Sequence, residues 1–278
     1  MMERAFKGLL FLFTLGGCAI LLVILVTVFW KGFPAIDLEF LTAPSRDFGT
    51  GGGIFYQLLG TMILMAGAAV VSLPIALGAA LFQTEYVRSL KIKKFLRILI
   101  YSLNGVPTII FGLIGYLVFG VFLETGVSWI TGALILAVMI LPTLQVSIQE
   151  AIESLPNQYR EAGLAMGLTP WQLIQTVIIP QSVFGIVTGL LLGLARAAGE
   201  TAAIMFTATT FSGALLPSSL TEPVTTLQTH ILILAQEAVN PQALENAWGA
   251  ALVLLGLVFA LILGALLIRV RLKWEAES

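Results

Sequence analysis

Leu9–Trp30 reads LLFLFTLGGCAILLVILVTVFW, 22 residues without a single charge. The hydrocarbon core of a bilayer, about 30 Å thick, takes about 20 apolar residues wound as an α-helix. The run therefore has the length and the composition of a membrane span. Arg4 and Lys7 precede it, which makes a secretory signal peptide the competing reading. A signal's apolar stretch holds about 7–15 residues and ends at a small-x-small cleavage site. Here the run is longer, and Lys31-Gly32-Phe33-Pro34 follows it. It reads as a retained first helix.

The rest of the chain agrees. Of its 278 residues 58% are hydrophobic and only 10% charged, with a mean hydropathy of +1.00. Soluble domains carry about 25% charged residues, so the surplus apolar surface must face lipid. Further apolar stretches lie at 57–82, 97–121, 127–148, 182–210 and 247–268. The expectation is an all-α integral membrane protein, one transmembrane domain over 1–278 with about six spans. A net charge of −1 gives no basic field for nucleic acid. One cysteine, Cys18, and one histidine, His230, exclude an intrachain disulfide framework and a histidine metal cluster.

Lysine and arginine placement sets the orientation. The N-terminus, 83–97, 149–181 and the C-terminus hold Arg4, Lys7, Arg88, Lys91, Lys93, Lys94, Arg97, Arg160, Arg269, Arg271 and Lys273. The opposite loops, 31–56, 122–126 and 211–246, hold only Lys31 and Arg46. Both termini are therefore expected in the cytoplasm. The loop 211–246 is expected outside, with a short helix over Leu227–Ala238. Pro74, Asn104-Gly105-Val106-Pro107 and Pro142 interrupt spans. Such breaks suit a bundle around a polar pathway, and ordinary kinks suit them equally.

The segment 149–181 predicts two short surface helices. Pro156 fits a first helical position, Gly167 a left-handed end, and Thr169-Pro170 an N-cap followed by N1. In the fifth span Arg196 and Glu200 stand i,i+4 within apolar sequence, where a charge at the bilayer centre costs about 2.5–3.5 kcal/mol. On a continuous helix they share a face and can pair. Gly185, Gly189, Gly193 and Ala197 make a small-xxx-small ridge for close helix packing. Arg196 falls about 20° from Gly189 around the helix, which turns it toward the bundle interior. A guanidinium suits tetrahedral oxyanions. Three roles stay open: an anion pathway restrained by Glu200, a structural ion pair, or an indirect conformational part.

Two motifs carry a resemblance. Glu161-Ala162-Gly163, Gly167 and Val177-Ile178-Ile179-Pro180 keep the register of the permease motif of bacterial ABC importers: Glu-Ala-Ala, three residues, Gly, nine residues, Ile-x-Leu-Pro. Arg196-Ala197-Ala198-Gly199-Glu200-Thr201 is similar to the signature of the permease subunits of phosphate-specific ABC importers, closest to the PstA type. Gly51-Gly52-Gly53-Ile54, Gly60-Thr61, Pro74, Glu85-Tyr86, Gly105-Val106-Pro107-Thr108 and Arg160 through Pro180 extend the likeness over roughly 50–210. A proline often found shortly after Gly-Glu-Thr is replaced by Ala202-Ala203.

The resemblance implies a type I importer permease fold. It implies a coupling helix docked on an ATPase through Arg160, Glu161, Ala162, Gly163 and Gly167, and a substrate pathway at Arg196, Glu200 and Thr201. Its implied partners are two copies of a cytoplasmic ATP-binding subunit, a second homologous permease forming a heterodimer, and an external phosphate-binding protein. The location implied is the bacterial inner membrane. This chain has no G-x-x-x-x-G-K-[ST] pattern, so ATP and Mg are expected on the partner, with no catalytic residue, cofactor or metal on this subunit. The alternatives are import of sulfate, molybdate, tungstate or phosphonate by the same architecture, or a secondary transporter with Glu200 carrying protons.

Overall fold

The computed structural model describes residues 2–209, 216–237 and 240–277. Among them are α1 (Met2–Gly32), α2 (Leu38–Thr42), α3 (Phe55–Leu81), α4 (Leu90–Asn104), α5 (Thr108–Gly115) and α6 (Trp129–Glu153). The chain continues through α7 (Asn157–Ala165), α8 (Pro170–Leu173), α9 (Ile179–Ala198), α10 (Ala202–Met205), α11 (Leu227–Gln236) and α12 (Pro241–Glu277). Among the described residues, five helical stretches are long and apolar enough to cross a membrane, and the pair α4 and α5 makes a sixth if counted as one broken span.

Two expected spans change shape. The stretch 97–121 is not straight, because α4 and α5 meet at 94°. Pro107 has no N–H to give and disfavours helical backbone at the residue before it, so the helix ends at Asn104 with Gly105 as its C-cap. The stretch 182–210 ends as a helix at Ala198, with Gly199 as C-cap. Its expected last residue, 210, lies outside the described residues, as do 211–215 of the following loop and Ala238 of the expected short helix. That helix is otherwise present as α11.

Contacts within the chain gather in two compact units: 1–55 with 230–255, and 56–229 with 256–278. In the first, α2 starts at Asp37, whose Oδ1 accepts from the Phe40 amide at 2.6 Å. A small antiparallel ladder, β1 (Ser45–Arg46) with β2 (Gly51–Gly52), pairs Ser45 with Gly52 and Arg46 with Gly51. Gly52 has φ +73°, and a side chain there would run into the Pro44 carbonyl. The glycine run is thus a requirement of the turn. Asn246 Nδ2 donates to the Gly49 carbonyl at 2.8 Å and ties α12 to this turn.

The second unit is built around α6. Ile135, Leu136, Met139 and Ile140 are buried with Leu64 and Ala68 of α3 and Ile204 of α10. Leu144, Ile148 and Ile152 continue this seam with Ala76, Ala80, Ile174 and Ile186. The small-residue ridge of α9 lies on α6: a Cβ at Gly185 would strike Ala151, and one at Gly189 would come within 2.6 Å of Ser147. Close backbone approach replaces bulk as the source of packing there.

Candidate functional site

The loop after α6 folds as two short helices. Pro156 stands at the N-cap of α7 rather than at its first position, a shift of one residue. At the far end Gly167 has φ +83°. The Leu168 amide donates to the Gly163 carbonyl at 3.2 Å and the Gly167 amide to Leu164 at 3.0 Å. These two bonds are the Schellman pattern, which a left-handed glycine makes possible. Thr169 then opens α8 with a capping box to Gln172. From Pro170 the helix runs on without interruption to Ala198, passing a wider turn over Ile174–Ile178.

Arg160 and Gly163 differ from the outward, partner-facing roles expected of them. The Arg160 guanidinium turns inward: Nη2 reaches Glu85 Oε1 at 3.1 Å and the Ile152 carbonyl at 2.9 Å, and Nη1 the Leu155 carbonyl at 3.0 Å. It clasps α7 to the end of α6 and to the turn after α3. Gly163 is buried, and a Cβ on it would lie 2.5 Å from Leu173 Cδ1. The need for a small residue comes from packing inside the hairpin. The face left exposed carries Glu161, Ala162 and Gly167, with Leu164 at 53% and Met166 at 82% exposure.

The fifth-span arginine sits where three interruptions meet. Arg196 Nη1 donates to Asn104 Oδ1 at 2.9 Å and to Thr143 Oγ1 at 3.1 Å. Asn104 is the last residue of α4 at the 94° corner, and Thr143 follows Pro142 in α6. The expected pairing with Glu200 does not form, because α9 stops at Ala198 and the i,i+4 geometry stops with it. Glu200 Oε1 instead accepts from the Ala203 amide at 3.3 Å, and Thr201 is the N-cap of α10. Arg196, Glu200 and Thr201 are all half-buried, and Gly199 between them is exposed. The Ala198 carbonyl is taken by Gln228 Nε2.

Asn104 and Thr143 are the partners of Arg196 that sequence reasoning missed. Both adjoin a helix breaker, which is the one signal they give. Thr61, part of the Gly60-Thr61 motif, accepts from the Leu227 amide through its Oγ1 at 3.0 Å at the start of α11. A Cβ at Gly60 would collide with the Thr225 carbonyl. Arg196 is thus held by neutral oxygens through one nitrogen, and among the described residues no carboxylate neutralises it. Its Nη2 and Nε, the edge that grips an oxyanion with two parallel bonds, make no hydrogen bond among the described residues.

A family model described as a binding-protein-dependent transport system inner membrane component matches residues 72–272. The probable ABC transporter permease protein YqgI of Bacillus subtilis is 32% identical over 260 residues, covering 87% of this chain and 88% of that protein. The phosphate transport system permease protein PstA of Xylella fastidiosa is 33% identical over 249 residues, covering 89% and 85%. The crystal structure of a bacterial alginate ABC transporter, in complex with an alginate pentasaccharide-bound periplasmic protein, aligns with a TM-score of 0.65. It covers 92% of each chain at 16% identity, a likeness of fold alone.

Proposed function

Since the chain belongs to the family of binding-protein-dependent transport system inner membrane components, and is thus a multi-pass permease subunit of an ABC importer, we propose that its cargo is inorganic phosphate. The observation that carries this reading is Arg196, a guanidinium held by two neutral groups with its oxyanion-binding edge unbonded. The phosphate transport relatives support the same cargo.

In this reading an external binding protein delivers phosphate on the side of the loop 211–246, and both termini face the cytoplasm. Arg196 takes the anion at the α4–α5 corner, and the partner permease, a homologous chain in a heterodimer, supplies the opposite wall. Glu200 caps α10 and sets the far edge of the opening, with Thr201 beside it. Two copies of a separate ATPase bind ATP and Mg, and they grip the exposed face of α7 at Glu161, Ala162 and Gly167. Arg160 and Gly163 hold that face in place from within. The unbroken helix from Pro170 to Ala198 joins this grip to Arg196.

The test is labelled-phosphate uptake by proteoliposomes containing both permeases and the ATPase, with binding protein outside. Uptake should require ATP and resist excess sulfate and molybdate. Preferred uptake of sulfate or molybdate would reassign the cargo. Uptake driven by a proton gradient without ATP would overturn the coupling.

A further inference from the structure

A second polar site lies between α4 and α6, within one helical turn of Asn104 and Thr143, which hold Arg196. A cavity of about 150 Å³ is lined by Arg97, Tyr101, Gln145, Gln149, Glu150 and Glu153. Gln145 and Gln149 are buried, at 0% and 7% exposure, while the other four are exposed. Along α6, Gln149 Nε2 donates to Glu153 Oε1 at 2.7 Å, and Gln145 Nε2 donates to Gln149 Oε1 at 3.1 Å.

Chemistry fixes the direction of this ladder. A carboxylate oxygen can only accept, so Gln149 must donate to it through its amide nitrogen. The Gln149 oxygen then receives, and Gln145 must donate in turn. What remains is Gln145 Oε1, a fully buried acceptor with no partner among the described residues. An unpaired buried acceptor is costly and calls for a donor. The lining offers two carboxylates against one guanidinium, an excess of negative charge that repels a free anion and favours a cationic donor.

The surroundings say where that donor comes from. Lys91, Lys93 and Lys94 precede Arg97 on α4, and the same helix exposes Ile92, Phe95, Ile98 and Leu99. A helix with basic and exposed apolar residues side by side suits the headgroup layer of a membrane. We propose that this cavity binds the headgroup of a phospholipid bearing a primary ammonium, with its phosphate on Arg97 and Tyr101 and its ammonium between Glu150 and Gln145 Oε1.

Ethanolamine phospholipid and its successive N-methylated forms, ending in choline, keep the phosphate and the positive charge but lose N–H donors step by step. The assembled transporter, purified from mixed vesicles of these lipids, is examined by native mass spectrometry for retained lipid. Retention should fall along the series, roughly tenfold from first to last, as expected for loss of a hydrogen bond to a charged group. Gln145→Met, which keeps length and removes the acceptor, should flatten the series. Glu150→Gln, at an exposed position whose side chain makes no hydrogen bond among the described residues, should weaken retention of the primary-ammonium lipid while the protein stays folded. Equal retention of all the lipids by the unaltered protein overturns the proposal. So does a series that both variants leave unchanged.

Discussion

Arg160 and Arg196 are both half-buried in the same compact unit, yet they are held in opposite ways. Arg160 meets a carboxylate and two helix-end carbonyls, so its charge is compensated and both terminal nitrogens are occupied. Arg196 meets one amide oxygen and one hydroxyl, so its charge stays available. Residue type and burial are alike, and the partners alone separate a compensated charge from an uncompensated one. A half-buried guanidinium without a carboxylate carries a cost, which the anion proposed to bind there would offset.

The comparison breaks most visibly at Arg196. Arg196→Ala should cut labelled-phosphate uptake at least tenfold, since a charge-assisted bidentate grip contributes about 1.5–3 kcal/mol. The protein should still assemble, because Glu200 has its own partner and is not orphaned. Arg196→Lys should lose most of the uptake as well, keeping charge without the planar fork. Uptake per unit of membrane-inserted protein is the measure, and wild-type rates in both variants would make Arg196 a brace.

Arg160→Ala should act differently, leaving Glu85 and the Leu155 carbonyl without the guanidinium that donates to them, at about 1–3 kcal/mol. We expect a lower unfolding temperature and more ATP hydrolysed per phosphate moved, with KM for phosphate unchanged. A raised KM at constant stability would place Arg160 among the cargo contacts. Gly163→Trp should disrupt the α7–α8 hairpin and release the ATPase on co-purification. Gly163→Ala should cost less, on the order of 1–3 kcal/mol, because Leu173 meets it with the far end of a flexible side chain.

The smallest effect at neutral pH concerns His230 in α11, outside the membrane-spanning helices. Burial lowers its pKa from 6.5 to about 4. Between these values the unfolded chain binds a proton that the folded chain refuses. Stability is therefore intact above pH 6.5 and lost as pH falls toward 4, by about 1.4 kcal/mol per pH unit. His230→Phe should flatten thermal stability across that window, and an unchanged slope would assign the loss to other groups.

What the sequence made legible was local. The caps at Gly167 and Thr169, the span count and the ridge at Gly185 and Gly189 each depend on neighbours within one or two turns. Sequence makes the fifth span too long because hydropathy continues through Ile204 and Phe206 whether or not the backbone stays helical. Gly199 was the warning. The partners of both arginines were out of reach for a physical reason: Asn104, Thr143 and Glu85 are brought in by tertiary packing, and no periodicity records that. The 94° corner lay between. Its breakers were plain in Asn104-Gly105-Val106-Pro107, but a break in sequence carries no angle.

The uninterrupted helix from Pro170 to Ala198 has a mechanical consequence. Arg196 stands 26 residues beyond Pro170, about 39 Å along the axis at 1.5 Å per residue. A rod of that length is a lever: tilted about its hairpin end by roughly 3°, it carries its far end sideways by about 2 Å. That displacement exceeds the tolerance of the hydrogen bonds at 2.9 and 3.1 Å that hold Arg196. If an ATPase grips the hairpin as proposed, a motion there too small to unfold anything would be enough, by leverage alone, to break both hydrogen bonds of the guanidinium.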